Sequence, residues 1–139
     1  MSTPLETIQA IYAAFGQGDI DGIVSHMADD VKWEHWQDNY AQKANVDWLR
    51  KRQGKQGVRD FFASISAFQF PRFEIESMLD NGNKVAVEVE LTIFLPALNI
   101  KITEQEMHLW TLDTQAKVTF FRHYLDTAKH IELYRAVNH

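Results

Sequence analysis

Apolar residues recur at Leu5, Ile8, Tyr12 and Phe15, the three- and four-residue spacing of one helix face. Thr3 can cap that helix, Pro4 suits its first turn, and Glu6 completes a capping box. Gly16 and Gly18 stop it. Asp19 then opens a second short helix that turns Ile20, Ile23, Val24 and Met27 inward. After it the period changes to two. Val31, Trp33 and His35 alternate with Lys32, Glu34 and Trp36, which is a strand pattern. Residues 37–55 are polar, with Tyr40, Trp48 and Leu49 interspersed, and read as a long loop holding at most one helical turn. Long loops in small domains often act as lids, so Trp36 and Trp48 are candidates to cover a mouth. A helix is expected over 56–65, burying Val58, Phe61, Phe62 and Ile65.

The second half of the chain is strand-like over 70–79, 84–95, 100–112 and 117–125, rich in Val, Ile, Phe and Thr. Asp80-Asn81-Gly82-Asn83 is a hairpin turn, and 96–99 and 113–116 are two further turns. Asp126 or Thr127 starts a final helix toward Tyr134. Helices first and an antiparallel meander after them predict an α+β fold, with N-terminal helices on the concave face of a curved, cone-shaped sheet. The length suits one domain, 1–139. On the strand over 84–95, Val85, Val87, Val89, Leu91, Ile93 and Leu95 lie on one side, and Glu88, Glu90, Thr92 and Phe94 on the other. Two arrangements follow. If the acids face the helices, the aliphatic row is the outer surface and calls for a homodimer through that face. If the aliphatic row faces the helices, the acids are a solvated face.

The formal net charge is -5, which argues against nucleic-acid binding. The one basic bunch, Arg50-Lys51-Arg52 with Lys55, reads as a solvated loop. The chain has no cysteine, so disulfides and thiol catalysis are excluded. It has no apolar run of membrane-spanning length and no basic-then-apolar leader pattern, so no membrane partner and a cytoplasmic location are expected. With no phosphate-cradling loop, nucleotide fingerprint or nucleophile elbow, no cofactor is expected.

The chemistry lies in the strand parities. Thr119, Phe121, His123 and Leu125 share a face, and so do Glu104, Glu106, His108, Trp110 and Leu112. Together with Trp33, His35, Glu88 and Glu90 they can line one concave surface, an aromatic wall with convergent polar groups suited to an apolar small molecule. A neutral histidine accepts a proton near pH 7, and a carboxylate beside it holds its tautomer. His123 and His35 are therefore the expected general base or acid, with Glu90 as orienter or second acid. Tyr12, Trp33, Glu88, Glu106, His108, Trp110 and Phe121 are the expected pocket. His26, His130 and His139 read as surface groups, and Arg122 and Tyr124 fall on the parity opposite to His123. His35, His108, His123 and a glutamate would suit zinc or iron if they converged, but no short ligand motif is present and no metal is expected.

Gly18-Asp19-Ile20-Asp21-Gly22-Ile23-Val24 followed by Ala28-Asp29-Asp30, and Phe121-Arg122-His123-Tyr124-Leu125-Asp126 near the end, resemble segments of the SnoaL-like polyketide cyclases. These belong to the nuclear transport factor 2-like superfamily, with the ketosteroid isomerases and limonene epoxide hydrolases as relatives. The resemblance implies a hollow cone that hosts acid-base proton transfer, isomerisation or cyclisation of a carbonyl compound, or ligand binding without turnover. The isomerases' catalytic carboxylate falls on His35, their tyrosine on Ile11 beside Tyr12, and their second acid on His108. The epoxide hydrolases' Asp-Arg-Asp trio falls on Glu90, Glu88 and His123, so its arginine is missing.

Overall fold

The computed structural model describes residues 2–138. Thr3 Oγ1 accepts the Glu6 N–H at 3.1 Å, and the Glu6 carboxylate accepts the Thr3 N–H at 2.9 Å. This reciprocal cap starts α1 (Pro4–Gly16) where the sequence places it. Asp19 caps α2 (Ile20–Val24), and β1 (Met27–Trp33) follows. The expected long loop is more ordered than its polarity suggests. It holds α3 (Tyr40–Lys43), a single 3-10 turn at Asp47–Leu49, and β2 (Arg52–Gln53), which leads into α4 (Gly54–Ser64). Trp48 and Leu49 are buried in the core, so Trp48 is a wall and not a lid. Trp36 packs instead against Tyr124, ring centroids 4.9 Å apart, with the Arg122 guanidinium over its ring.

Four longer strands follow: β3 (Gln69–Asp80), β4 (Lys84–Leu95), β5 (Ile100–Leu112) and β6 (Val118–Tyr124), before α5 (Thr127–Val137). The sheet has six strands in the order β2-β1-β6-β5-β4-β3. It is mixed and open: β1 runs parallel to β6, and every other pairing is antiparallel. No described helix is long and apolar enough to cross a membrane.

Register decides which face is which. Val87 lies opposite His108, Val89 opposite Glu106 and Leu91 opposite Glu104, and directly opposed residues share a face. The row Val85, Val87, Val89, Leu91, Ile93 and Leu95 is at most 5% exposed, and it is the concave face beneath the helices. Each fully buried side chain of this kind contributes roughly 1.5–3 kcal/mol. Glu88 and Glu90, opposite Met107 and Gln105, are therefore on the convex face. That corrects their expected place in the pocket. It also removes the exposed aliphatic row on which the homodimer was argued.

Candidate functional site

Between the helices and the concave face lies a cavity of about 80 Å³. Its wall is aromatic: Trp33 stacks on Phe121 at 4.1 Å, and Trp110 tilts against Phe121 at 4.3 Å. Phe15, Phe62, Phe70 and Phe73 line both this cavity and a larger vestibule of about 530 Å³. Glu106, His108, His123 and His130 also line the cavity, and none of these four lines the neighbouring vestibule. The site is thus a narrow polar end behind a broad aromatic mouth.

The first acid-base unit comes from the end of β1. Glu34 has φ +57°, a left-handed conformation that side chains other than glycine rarely adopt. One such residue breaks the two-residue alternation, so Glu34, and not His35, turns inward. The Glu34 N–H still donates to Phe121 O at 2.9 Å, which keeps the residue joined to β6. Its side chain is buried, and Oε1 accepts the His123 backbone N–H at 2.5 Å and the His123 Nδ1–H at 3.2 Å. The neutral ring then carries its lone pair on Nε2, the tautomer a base requires. Burial disfavours the His123 cation, but the charge and hydrogen bond of Glu34 outweigh it, and the ring titrates above its ordinary range.

His35 is excluded from the cavity by the same twist. Its Nε2–H donates to Arg52 O at 2.9 Å, and its carbonyl accepts Arg122 Nε–H at 2.7 Å. Burial holds the ring below the usual histidine range. His35 thus ties the Arg52 backbone to the Arg122 side chain.

The second unit is a chain of hydrogen bonds that begins at an indole. An indole N–H can only donate, so Trp110 Nε1–H gives to Tyr12 Oη at 3.1 Å. Tyr12 then donates its own O–H to His108 Nδ1 at 2.5 Å, and His108 Nε2–H donates to Glu106 Oε1 at 2.8 Å. Burial pushes Tyr12 well above the ordinary phenol range, so it keeps its proton. Burial also lowers His108, outweighing Glu106 beside it, so the ring is neutral. Burial works to raise Glu106, but the hydrogen bond from His108 and the nearby His130 ring hold it well below the usual carboxylate range. The His108 and His123 rings meet edge to face at 4.9 Å, so the two units share one end of the cavity.

A third cluster was not legible in the pattern. His130, expected at the surface, is 2% exposed. Its Nε2–H donates to Glu104 Oε1 at 2.6 Å, with Glu106 Oε2 at 3.7 Å, and its Nδ1 accepts Trp48 Nε1–H at 2.9 Å. The two carboxylates offset the penalty of burial and would hold a proton on His130 up to about 9. The indole rules that cation out while its bond is intact, because Nδ1 must keep a lone pair to accept it. His130 is therefore neutral in this arrangement. Burial pushes Glu104 up to about 7, and its Oε2 has no partner. The available signal was the i, i+3 spacing of His130 and Leu133, which puts both on the inward face of α5.

The structure thus brings together Tyr12, Trp33, Glu106, His108, Trp110, Phe121 and His123 from the expected set. Glu88 accepts Ser77 Oγ–H at 3.0 Å, and Glu90 pairs with Arg72 at 3.3 Å, both on the convex face. His139 lies outside the described residues. One donor atom each from Glu106, His108 and His123 lies within 4.8 Å of the others, and the same holds for Glu104, Glu106 and His130.

Known structures share this architecture. A nuclear transport factor 2-like protein of unknown function from Burkholderia pseudomallei is 20% identical, with a TM-score of 0.81 over 96% of this chain and 98% of its own. TerC, co-crystallized with polyporic acid, is 26% identical, with a TM-score of 0.78 over 96% and 99%. A Mycobacterium tuberculosis protein in complex with estradiol-17beta-hemisuccinate is 19% identical, with a TM-score of 0.70 over 90% and 95%. No curated protein matches the chain. The SnoaL-like domain model matches residues 8–127, and the chain belongs to that family.

Proposed function

We propose that the protein is a small-molecule enzyme that moves a proton next to a carbonyl group, with His123 as general base and Glu34 as the group that orients it. One observation carries the reading: two histidine–carboxylate units, with rings 4.9 Å apart, face one apolar cavity. Proton abstraction needs a base with a held tautomer and a donor for the oxygen that gains charge. His123 Nε2 is the base. Trp33 Nε1–H, buried without a protein partner in a residue that lines the cavity, is a donor left for the substrate oxygen. The Tyr12–His108–Glu106 chain returns or removes a second proton. Isomerisation results when His123 gives its proton back at another carbon, and cyclisation when the enolate attacks within the substrate. A dry cavity strengthens each of these interactions.

The substrate class follows from the walls. An apolar ring system fits the phenylalanine-lined vestibule, with one oxygen reaching the narrow end. Structural neighbours that hold polyporic acid and an estradiol hemisuccinate support a ring-bearing ligand. A second reading, binding without turnover, is favoured by the saturation of both His108 ring nitrogens inside the protein. Pairing of two chains through the convex face is a separate proposal, resting on the half-buried Phe94, Met107 and Leu109.

Deuterium exchange into 2-tetralone, an apolar bicyclic ketone, separates the readings when followed by proton NMR in heavy water. Tryptophan fluorescence reports binding in the same samples, since Trp33, Trp48 and Trp110 line the cavity. Exchange above the buffer rate that is lost in His123→Ala supports the enzyme. Quenching without exchange supports a binding protein.

A further inference from the structure

We propose that Glu106, His108 and His123 bind one divalent cation of the zinc or iron(II) class, and that the ion competes with acid-base chemistry by taking the free nitrogen of His123. The binding site stands on its own geometry; the competition rests on the proposed function.

The donors sit on a rigid platform. His108 and His123 are directly paired across β5 and β6, and Glu106 lies two residues along β5 on the same face. All three enter the cavity, and one atom from each lies within 4.8 Å of the others. Two imidazoles and a carboxylate are a donor set that zinc and non-haem iron accept, and the cavity leaves further positions open.

Proximity alone would not distinguish this cluster from Glu104, Glu106 and His130. The groups behind the rings do. A histidine that binds a metal through one nitrogen carries its proton on the other, and that N–H needs an acceptor. Behind His123 Nδ1 stands Glu34 Oε1, an acceptor already in place at 3.2 Å. Behind His108 Nδ1 stands Tyr12 Oη at 2.5 Å. That oxygen has two lone pairs, and Trp110 uses one. If the Tyr12 hydroxyl turns its hydrogen toward the cavity, the second lone pair accepts His108 Nδ1–H, and Nε2 is free for the ion. The ring changes tautomer and stays neutral.

His130 has no such freedom. Its Nδ1 faces the indole N–H of Trp48, which cannot accept. Its proton is confined to Nε2, the atom that faces the carboxylates. Of the two clusters, only the one around His123 can change from a hydrogen-bonded to a metal-bound state while each ring keeps a hydrogen bond to the group behind it.

The test is a calorimetric titration of tag-free, chelator-treated protein with zinc sulfate, repeated with cobalt(II) to read its visible absorption. The expected result is one ion per chain, with intense cobalt bands that mark a low-coordinate nitrogen-oxygen site. Glu34→Gln should weaken binding roughly 10- to 100-fold, the usual effect of losing an outer-shell partner. His108→Ala and His123→Gln should abolish it, and His35→Ala should leave it unchanged. Circular dichroism confirms that each variant is folded. No saturable binding overturns the site, and so does binding that survives in folded His123→Gln.

Tetralone exchange then reads the competition. One equivalent of zinc should suppress the exchange seen in metal-free protein. Binding without suppression overturns the competition, with both the site and the enzyme reading intact. If the metal-free protein shows no exchange at all, the enzyme reading fails and the competition falls with it, while the titration still decides the site.

Discussion

Four glutamates sit on two neighbouring strands and live in two different worlds. Glu88 and Glu90 on β4 are on the convex face, where they meet Ser77 and Arg72 at the protein surface. Glu104 and Glu106 on β5 are on the concave face, 5% and 6% exposed, between His108 and His130. Sequence separation is small and residue type is the same. What differs is the register that sets Glu106 opposite Val89, and so inside, while Glu90 opposes Gln105, outside. Environment, not identity, turns a carboxylate into an acid-base group, because only a buried one has its charge opposed by desolvation and fixed by a few aimed partners.

The contrast can be broken or sharpened by substitution. The largest effect is on chemistry. His123→Ala should reduce tetralone exchange by about 100-fold or more, the range for losing a general base, while Glu90→Gln should leave the rate within about twofold. Next is stability. Glu106→Ala leaves the buried His108 Nε2–H without its acceptor and opens a gap in the core, and should destabilise by about 2–5 kcal/mol in urea unfolding. Glu90→Ala loses only a surface pair with the half-exposed Arg72 and should change stability by less than about 1 kcal/mol. Equal losses would mean that the two faces are not the distinct environments described.

Leu91→Ala probes the same face through packing. It empties a site that is 2% exposed and should destabilise by about 2–5 kcal/mol in the same assay.

The smallest effect is on pH dependence, and its sign follows from Glu104. Burial raises that carboxyl to about 7, so the folded state holds a proton that the unfolded chain releases near its ordinary 4.5. Its contribution is therefore fully present below the ordinary value and is lost as pH rises through about 7. Glu104→Gln cannot ionise, so the fall in unfolding free energy between pH 5 and pH 8, read from urea titrations, should shrink by on the order of 1–2 kcal/mol. A variant that falls as steeply as the wild type would show that Glu104 is not the group responsible.

Much of the architecture was legible because its signals are local. The Thr3–Glu6 box, the Asp19 and Asp126 caps and the turn at 80–83 each act through neighbours a few residues away. The strands β4 and β5 run over the residues their alternation predicts. The site was legible in part. His108, Trp110, Phe121 and His123 followed from parity within the regular stretch of the β5–β6 pairing. Glu34 did not, because a single left-handed residue shifts the parity after Trp33 and exchanges the roles of Glu34 and His35.

The sequence by itself determined the elements, their order, and which side chains share a face. It could not decide which face is inside, because a period of two reads the same when the faces are exchanged. That choice belongs to the helices. α1 needs an apolar surface on which to bury Ile8 and Ile11, and the aliphatic side of β4 supplies it, while α4 packs on β1 and sets Phe61 against Trp33. Once those layers pack, Glu106, His108 and His123 are carried into the cavity, and Glu88 and Glu90 are left at the surface. The tertiary structure alone decided which acids meet which histidines, because long-range packing sets burial and partner, and these set the chemistry.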